Sequence, residues 1–298
     1  YAGFLADRFS KKIITVILKY AELGIMLLSC VAFLVGSRFM LYALLFLMSA
    51  QSALFSPTKY GILPELVPEE RLTKANGLLV MMTFIATILG TAAAPAISFV
   101  TNKWFSSITI AYGIAAIVCV VIATAGILTS HQVWNTRAAN PTISPDYLFL
   151  RKLWHTFLWV KKDKNLLVAV LATAFFSMLA GFMQINLIDY GMDCLGLDEK
   201  ESSFMFFYSA IGIATGAYFA GRLSKRNIEF ALIPAGSFLI LISLLFLGFI
   251  STPKFIVVVC VFVFLAGLGA GLFIVPLDTF IQIAMPTKTR GEGLALNS

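Results

Sequence analysis

Charge is what this sequence has least of: Asp, Glu, Lys and Arg make up 12% of its 298 residues, against 59% hydrophobic. A soluble globular domain carries about 25% charged and about 45–50% apolar residues. So few ionic groups could not cover a particle of this size in water, which excludes an ordinary soluble enzyme or binding module. Cysteine is sparse as well. Cys30, Cys119, Cys194 and Cys260 are scattered, no two at metal-ligand spacing, and three fall in apolar runs where they read as small packing residues. No secretory signal is visible, and no glycine-rich loop of the phosphate-cradling kind is present, which argues against direct ATP hydrolysis. Neither a metal, a cofactor nor a catalytic residue is expected.

What the chain does have is apolar length. Its mean hydropathy is +0.91. A membrane-crossing helix needs about 20 mostly apolar residues. Eight runs qualify: 13–35, 39–55, 77–100, 107–129, 166–188, 203–220, 230–250 and 255–277. They are apolar throughout rather than alternating, so barrel strands of about ten residues do not fit. The expected class is an all-α polytopic membrane protein.

Eight crossings put alternate loops on opposite faces. One face then holds 17 of the 22 Lys and Arg residues, among them Arg8, Lys59, Arg151 and Arg222. The other holds Arg38, Lys103, Lys200 and Lys254, while Lys19 lies inside a helix. The excess of positive charge assigns the first face to the cytoplasm. The net charge of +7 therefore reflects orientation, and no nucleic-acid partner is expected.

An internal echo divides the chain. Residues 6–12 (Ala6, Asp7, Arg8, Phe9, Ser10, Lys11, Lys12) are matched 214 positions later by residues 220–226, which include Arg222. Phe55 and Pro68 are matched 218 positions later by Phe273 and Pro286. Both intervals contain six helices, so two parallel six-helix halves are expected, an arrangement known among transporters. Residues 1–130 would belong to the first half, 131–165 to a cytoplasmic linker and 166–298 to the second. The opening on Tyr1 and the apolar start near Ser298 suggest that both ends are cuts in a longer chain. Within the linker, Ser144, Pro145 and Asp146 read as a helix start. Tyr147, Leu150, Trp154, Phe157 and Leu158 then share one face, with Arg151, Lys152 and His155 opposite. Such a helix suits the cytoplasmic membrane surface or a linker packed on the two halves.

Residues 3–12 resemble the Major Facilitator Superfamily signature that follows the second helix, with Ser10 where that pattern has glycine. The resemblance implies that the eight helices correspond to numbers three to ten of about twelve. Residues 55–77 carry a narrower likeness through Phe55, Lys59, Tyr60, Gly61, Pro64, Glu65, Pro68, Arg71, Lys74, Asn76 and Gly77. Together with residues 220–234 and 275–278, they resemble the lysophospholipid transporter branch. That likeness implies transport of lysophospholipids, such as lysophosphatidylethanolamine, across the bacterial inner membrane for reacylation. In some members of the branch the carrier is fused to an acyltransferase and an acyl-ACP synthetase. The associated acyltransferase would need His followed five positions later by Asp, but His131 meets Thr136 and His155 meets Val160. Two alternatives stay open: an exporter of drugs or other amphiphiles, and the membrane portion of a multidomain acyltransferase.

Two groups of site residues follow. Gly3, Asp7, Arg8, Lys11, Lys12 and Arg222 are gating candidates, because a carboxylate can accept from a helix start and the cations can bridge helix ends. The alternative for the cations is plain orienting charge. Lys19 and Glu22 stand at i and i+3, roughly 12 and 16 Å from the helix start. Ionisable groups that deep are costly, and they mark either function or a structural ion pair. Gln51, Gln184 and Asn186 are further substrate candidates by analogy with cavity-lining helices. Asp278, at a helix end, is either a partner for a cation or headgroup amine or an interfacial acid. Gly212, Gly216, Gly267, Gly269 and Gly271 are expected to let helices approach closely.

Overall fold

A computed structural model describes residues 1–104, 108–142, 149–224, 227–250 and 252–297. Among these residues every regular element is helical. The helices are α1 (Ala2–Arg8), α2 (Lys11–Val35), α3 (Arg38–Gly61), α4 (Leu63–Leu66), α5 (Leu72–Trp104), α6 (Ile108–Gln132), α7 (Phe149–Val160), α8 (Lys164–Asp189), α9 (Glu199–Leu223), α10 (Leu232–Phe249), α11 (Ile256–Ala284) and α12 (Arg290–Asn297). Eight of them are long and apolar enough to cross a membrane: α2, α3, α5, α6, α8, α9, α10 and α11.

Polar residues punctuate these apolar runs. Gly36, with φ of 69°, takes the left-handed turn that ends α2, and Ser37 then caps α3. Asp163 starts α8 by accepting from the backbone N–H groups of Asn165 and Leu166 at 2.9 and 3.3 Å. Asp198 and Glu201 form a reciprocal capping box at the start of α9. Most of the long helices outrun their sequence boundaries, and two of them do so through a proline. α3 passes through Pro57 to Gly61, and α11 passes through Pro276 to Ala284. In an apolar setting a helix that tolerates one missing N–H still satisfies more backbone groups than a broken one. The helix start at Ser144, Pro145 and Asp146 lies outside the described residues, whereas α7 covers the amphipathic segment that follows.

The chain forms two compact units. One comprises Tyr1–Leu66, Gly90–Trp159 and Met285–Ser298; the other comprises Val67–Leu89 and Val160–Ala284. In the first, α2 packs on α3 and α6, and α1 packs on α3 and α12. In the second, α11 lies against α9 and α10. Its core gathers Leu187, Leu195, Met205, Leu247, Val259 and Val263, with a second cluster of Val80, Ala217, Ala220 and Val275. The α9–α11 seam is built on glycine. A Cβ on Gly212 or Gly216 would collide with the α11 backbone at Phe264 and Leu268, and one on Gly271 with the α9 backbone at Ile213 and Ala217. Phe39, Tyr42, Phe46, Val121, Ile122, Phe182 and Phe249 are exposed. Outward apolar surface on that scale suits lipid rather than water.

Candidate functional site

The signature segment folds into α1 and the start of α2. Asp7 is fully buried, and its two carboxylate oxygens accept from the backbone N–H groups of Gly291 at 2.8 Å and Glu292 at 3.0 Å. These are first-turn donors of α12, which lack partners within their own helix. The approach is close because glycines line it: a Cβ on Gly3 would strike the backbone of Gly291 and Glu292, and one on Gly291 would strike Asp7 Oδ1. Burial pushes the Asp7 carboxyl up to about 6, against the lowering effect of the two N–H donors and of Lys11. The Asp7 carbonyl accepts from Asn140 N–H at 2.8 Å, which fastens the segment after α6 to α1.

The cations around Asp7 take separate partners. Lys11 is buried and forms an ion pair with Glu65 on α4. The Arg8 guanidinium lies over the rings of Phe4 and Phe9, 5.7 and 5.5 Å from their centroids. The Lys12 backbone N–H donates to Thr136 Oγ1, which also bonds Ser10. Arg222, in the other unit, is exposed at the end of α9, where it donates to Tyr218 and lines a groove with Lys74 and Gly221.

Within the membrane-length part of α2, Lys19 Nζ meets Glu22 Oε2 at 2.7 Å, with both side chains partly exposed. The Lys19 ammonium stands 5.3 Å from the centre of the Phe55 ring on α3. Its stem packs on α6 at Gly126, where a Cβ would come within 3.4 Å of Lys19 Cδ. Nearby on the same helices, Tyr20 hydroxyl and His131 Nε2 are 3.3 Å apart. The pair thus keeps each charge matched while both remain reachable.

The remaining candidates separate. The Gln51 amide is buried and donates to the Leu18 carbonyl at 3.2 Å, so it ties α3 to α2. Asn186 donates to Phe182 one turn back on its own helix. Gln184 lines an apolar cavity of about 170 Å³ with Phe176, Met183, Phe206 and Ile240. Asp278 is half-buried six residues before the end of α11, and among the described residues its carboxylate has no hydrogen bond or ion pair.

One polar cluster escaped the sequence reading. Asn76 Nδ2 on α5 donates to Thr279 Oγ1 at 3.0 Å and to Gln282 Oε1 at 2.9 Å. Gln282 Nε2 returns a bond to Asn76 Oδ1 at 3.0 Å, and Thr279 donates onward to the Val275 carbonyl. Neutral residues 203 and 206 positions apart leave no pattern in sequence that would pair them. The one available signal was Asn76 itself, at the close of the 55–77 motif.

Eight apolar helices, with polar ties at the ends rich in Lys and Arg, define a multi-pass α-helical membrane protein of the carrier type. The chain belongs to the Major Facilitator Superfamily, whose family model matches residues 1–298. Relatives from Pectobacterium carotovorum, Photorhabdus laumondii and Escherichia coli, each named lysophospholipid transporter LplT, are 27% identical over 95–99% of this chain. The chain spans 65% of the first relative's length and 70% of the other two. Among solved structures, a Major Facilitator Superfamily transporter, FucP, superposes with a TM-score of 0.77 at 12% identity, over 99% of this chain and 74% of that one. The Escherichia coli fucose:proton symporter FucP gives 0.77 at 13% identity, over 99% and 75%. These likenesses carry the fold.

Proposed function

We propose that this protein carries lysophospholipids across the bacterial inner membrane by alternating access, delivering them to the cytoplasmic leaflet for reacylation. The observation that carries this reading is the likeness of nearly the whole chain to relatives named for that substrate. Residues 1–130 and 166–298 supply parts of two halves that rock against each other, joined through 131–165. Gly3 and Asp7 form a gate tie to α12; Lys11, Arg8 and Lys12 support its mouth, and Arg222 occupies the matching place in the second half. Lys19 and Glu22 exchange partners with the phosphate and amine of a zwitterionic headgroup, and Asp278 offers a further acidic contact. Gln184 and Asn186 are secondary contacts, and the bonded amide of Gln51 serves packing. The acyl chain stays in apolar surroundings throughout, because each methylene left in water costs about 0.8 kcal/mol. An acyltransferase with an acyl-ACP synthetase, fused or associated, is the partner that consumes the product.

In vesicles or spheroplasts expressing the protein, labelled lysophosphatidylethanolamine is expected to reach the cytoplasmic leaflet, and Glu22→Lys to impair that movement. Absence of lipid movement alongside transport of a soluble drug would replace this reading with an amphiphile exporter.

A further inference from the structure

We propose that α7 and the lysine-rich turn after it, together with the indole of Trp134, form a docking surface for the anionic lipid headgroups of the cytoplasmic leaflet. The proposal uses the orientation expected from Lys and Arg and does not depend on the cargo.

Tryptophan points to it first. The chain has four, and three of them, Trp134, Trp154 and Trp159, fall between the span that ends at Gln132 and the span that begins at Lys164. All three are exposed, by 83, 60 and 39%. At a membrane interface the apolar body of an indole enters the acyl boundary while its N–H stays among the headgroups; in water its surface stays uncovered. The chain holds these rings near that level. Trp134 comes two residues after Gln132 and Trp159 five residues before Lys164, so even extended backbone carries them no further than about 7 and 18 Å from a span.

Helix α7 carries the same surface. Trp154 and Leu158 stand exposed one turn apart, and Trp159 is exposed on the adjoining flank. Phe157 stacks on Trp154 with ring centroids 5.8 Å apart. Val160, the last residue of α7, is buried, so the helix is held at that end while the face at Trp154 and Leu158 stays open. Within its own unit, and among the described residues, no other helix packs broadly on α7.

Charge names what covers that face. Arg151, Lys152, Lys161, Lys162 and Lys164 follow one another with a single acid among them, Asp163. Its carboxylate is already engaged, accepting from the backbone N–H groups of Asn165 and Leu166. Lys161, Lys162 and Lys164 are exposed. Cations grouped at the cytoplasmic end of a span attract anionic lipid. An acidic protein surface matches the lysines alone, whereas an anionic bilayer offers both the charge and an apolar layer beneath it for the indoles.

The test uses the full-length protein in nanodiscs, with its native cysteines replaced by Ser and a bimane fluorophore on Leu158→Cys. Nitroxide-labelled phosphatidylglycerol or phosphatidylcholine is added at equal mole fraction, with the total phosphatidylglycerol content held constant. The anionic quencher is expected to act about threefold more strongly than the zwitterionic one, and Lys161→Gln with Lys162→Gln and Lys164→Gln to bring the ratio to about one at unchanged Tm. Raising NaCl to about 0.5 M is expected to lower the ratio without those substitutions, so the salt arm decides the matter if the triple variant is unstable. Quenching by neither lipid would show the face covered by protein and overturn the proposal. Equal quenching by both, or a ratio indifferent to salt or to the three substitutions in a stable variant, would overturn it as well. No substrate is present, so the outcome is separate from that of the transport reading.

Discussion

Asp7 is buried against the first turn of α12, so two backbone N–H groups replace the water that would otherwise solvate its charge. The exchange is incomplete, and burial holds its carboxyl at about 6 instead of 3.8. The charged groups that bear on it are Lys11, which lowers that value, and Glu292, which raises it. If the tie opens in transport, the released carboxyl returns to its ordinary range. The tied state then binds the proton more tightly, so its relative stabilisation is full below 3.8 and disappears as pH rises through about 6. Acidification from pH 7 to 5 is therefore expected to favour the tied state and slow transport. Asp7→Asn keeps the shape, loses the charge and leaves one N–H poorly matched, a change of about 1–2 kcal/mol. It is expected to express normally, transport roughly tenfold more slowly and show no pH dependence across that window. Initial rates of lipid movement between pH 5 and 7.5 check this; a wild-type rate at saturating substrate would remove Asp7 from the gate. Lys19 and Glu22 were legible because charge inside an apolar run is conspicuous. Gln51 was equally visible, but its bond to Leu18 depends on where α2 and α3 meet.

Helix α11 owes its position to small residues. Gly267 and Gly271 face the α9 backbone, at Ser209 and Ile213 and at Ile213 and Ala217, while Gly269 faces the α10 backbone at Gly236. With no hydrophobic force between helices in lipid, close backbone approach is a main source of attraction. Gly271→Leu would drive a branched side chain into the α9 backbone and is expected to cost about 1–3 kcal/mol or more. Gly248→Ala, with open space around its Cβ position, is expected to be neutral. Thermal denaturation and monodispersity in detergent distinguish the two; equal Tm values would refute the close-packed seam. At this scale the apolar runs told where helices lie; the run that stopped at Phe55, short of Pro57, fell short of the true end of α3 at Gly61. A proline ends a helix only when the freed carbonyl finds a better partner outside, and apolar surroundings offer none.

For the whole molecule, the uneven distribution of Lys and Arg sets the expected orientation. Cysteines at positions 8, 59 and 222 are expected to react from the cytoplasm, and those at 38 and 254 from the opposite face. Labelling of intact and opened cells checks this; reaction of position 59 or 222 from outside would invert the topology. The compact units are not the sequence halves: α12 folds with α1 and α3, and the start of α5 folds with α9 and α11. That regrouping comes from Asp7 on α12 and Asn76 on α11, ties made between residues more than 200 positions apart. By itself the sequence determined the solvent, the helix number and the signature segment, because these depend on composition and short-range pattern. Only the tertiary structure decided which polar groups meet. A neutral amide carries no long-range field and no periodic signal, so its partner is set by how helices pack rather than by anything written beside it.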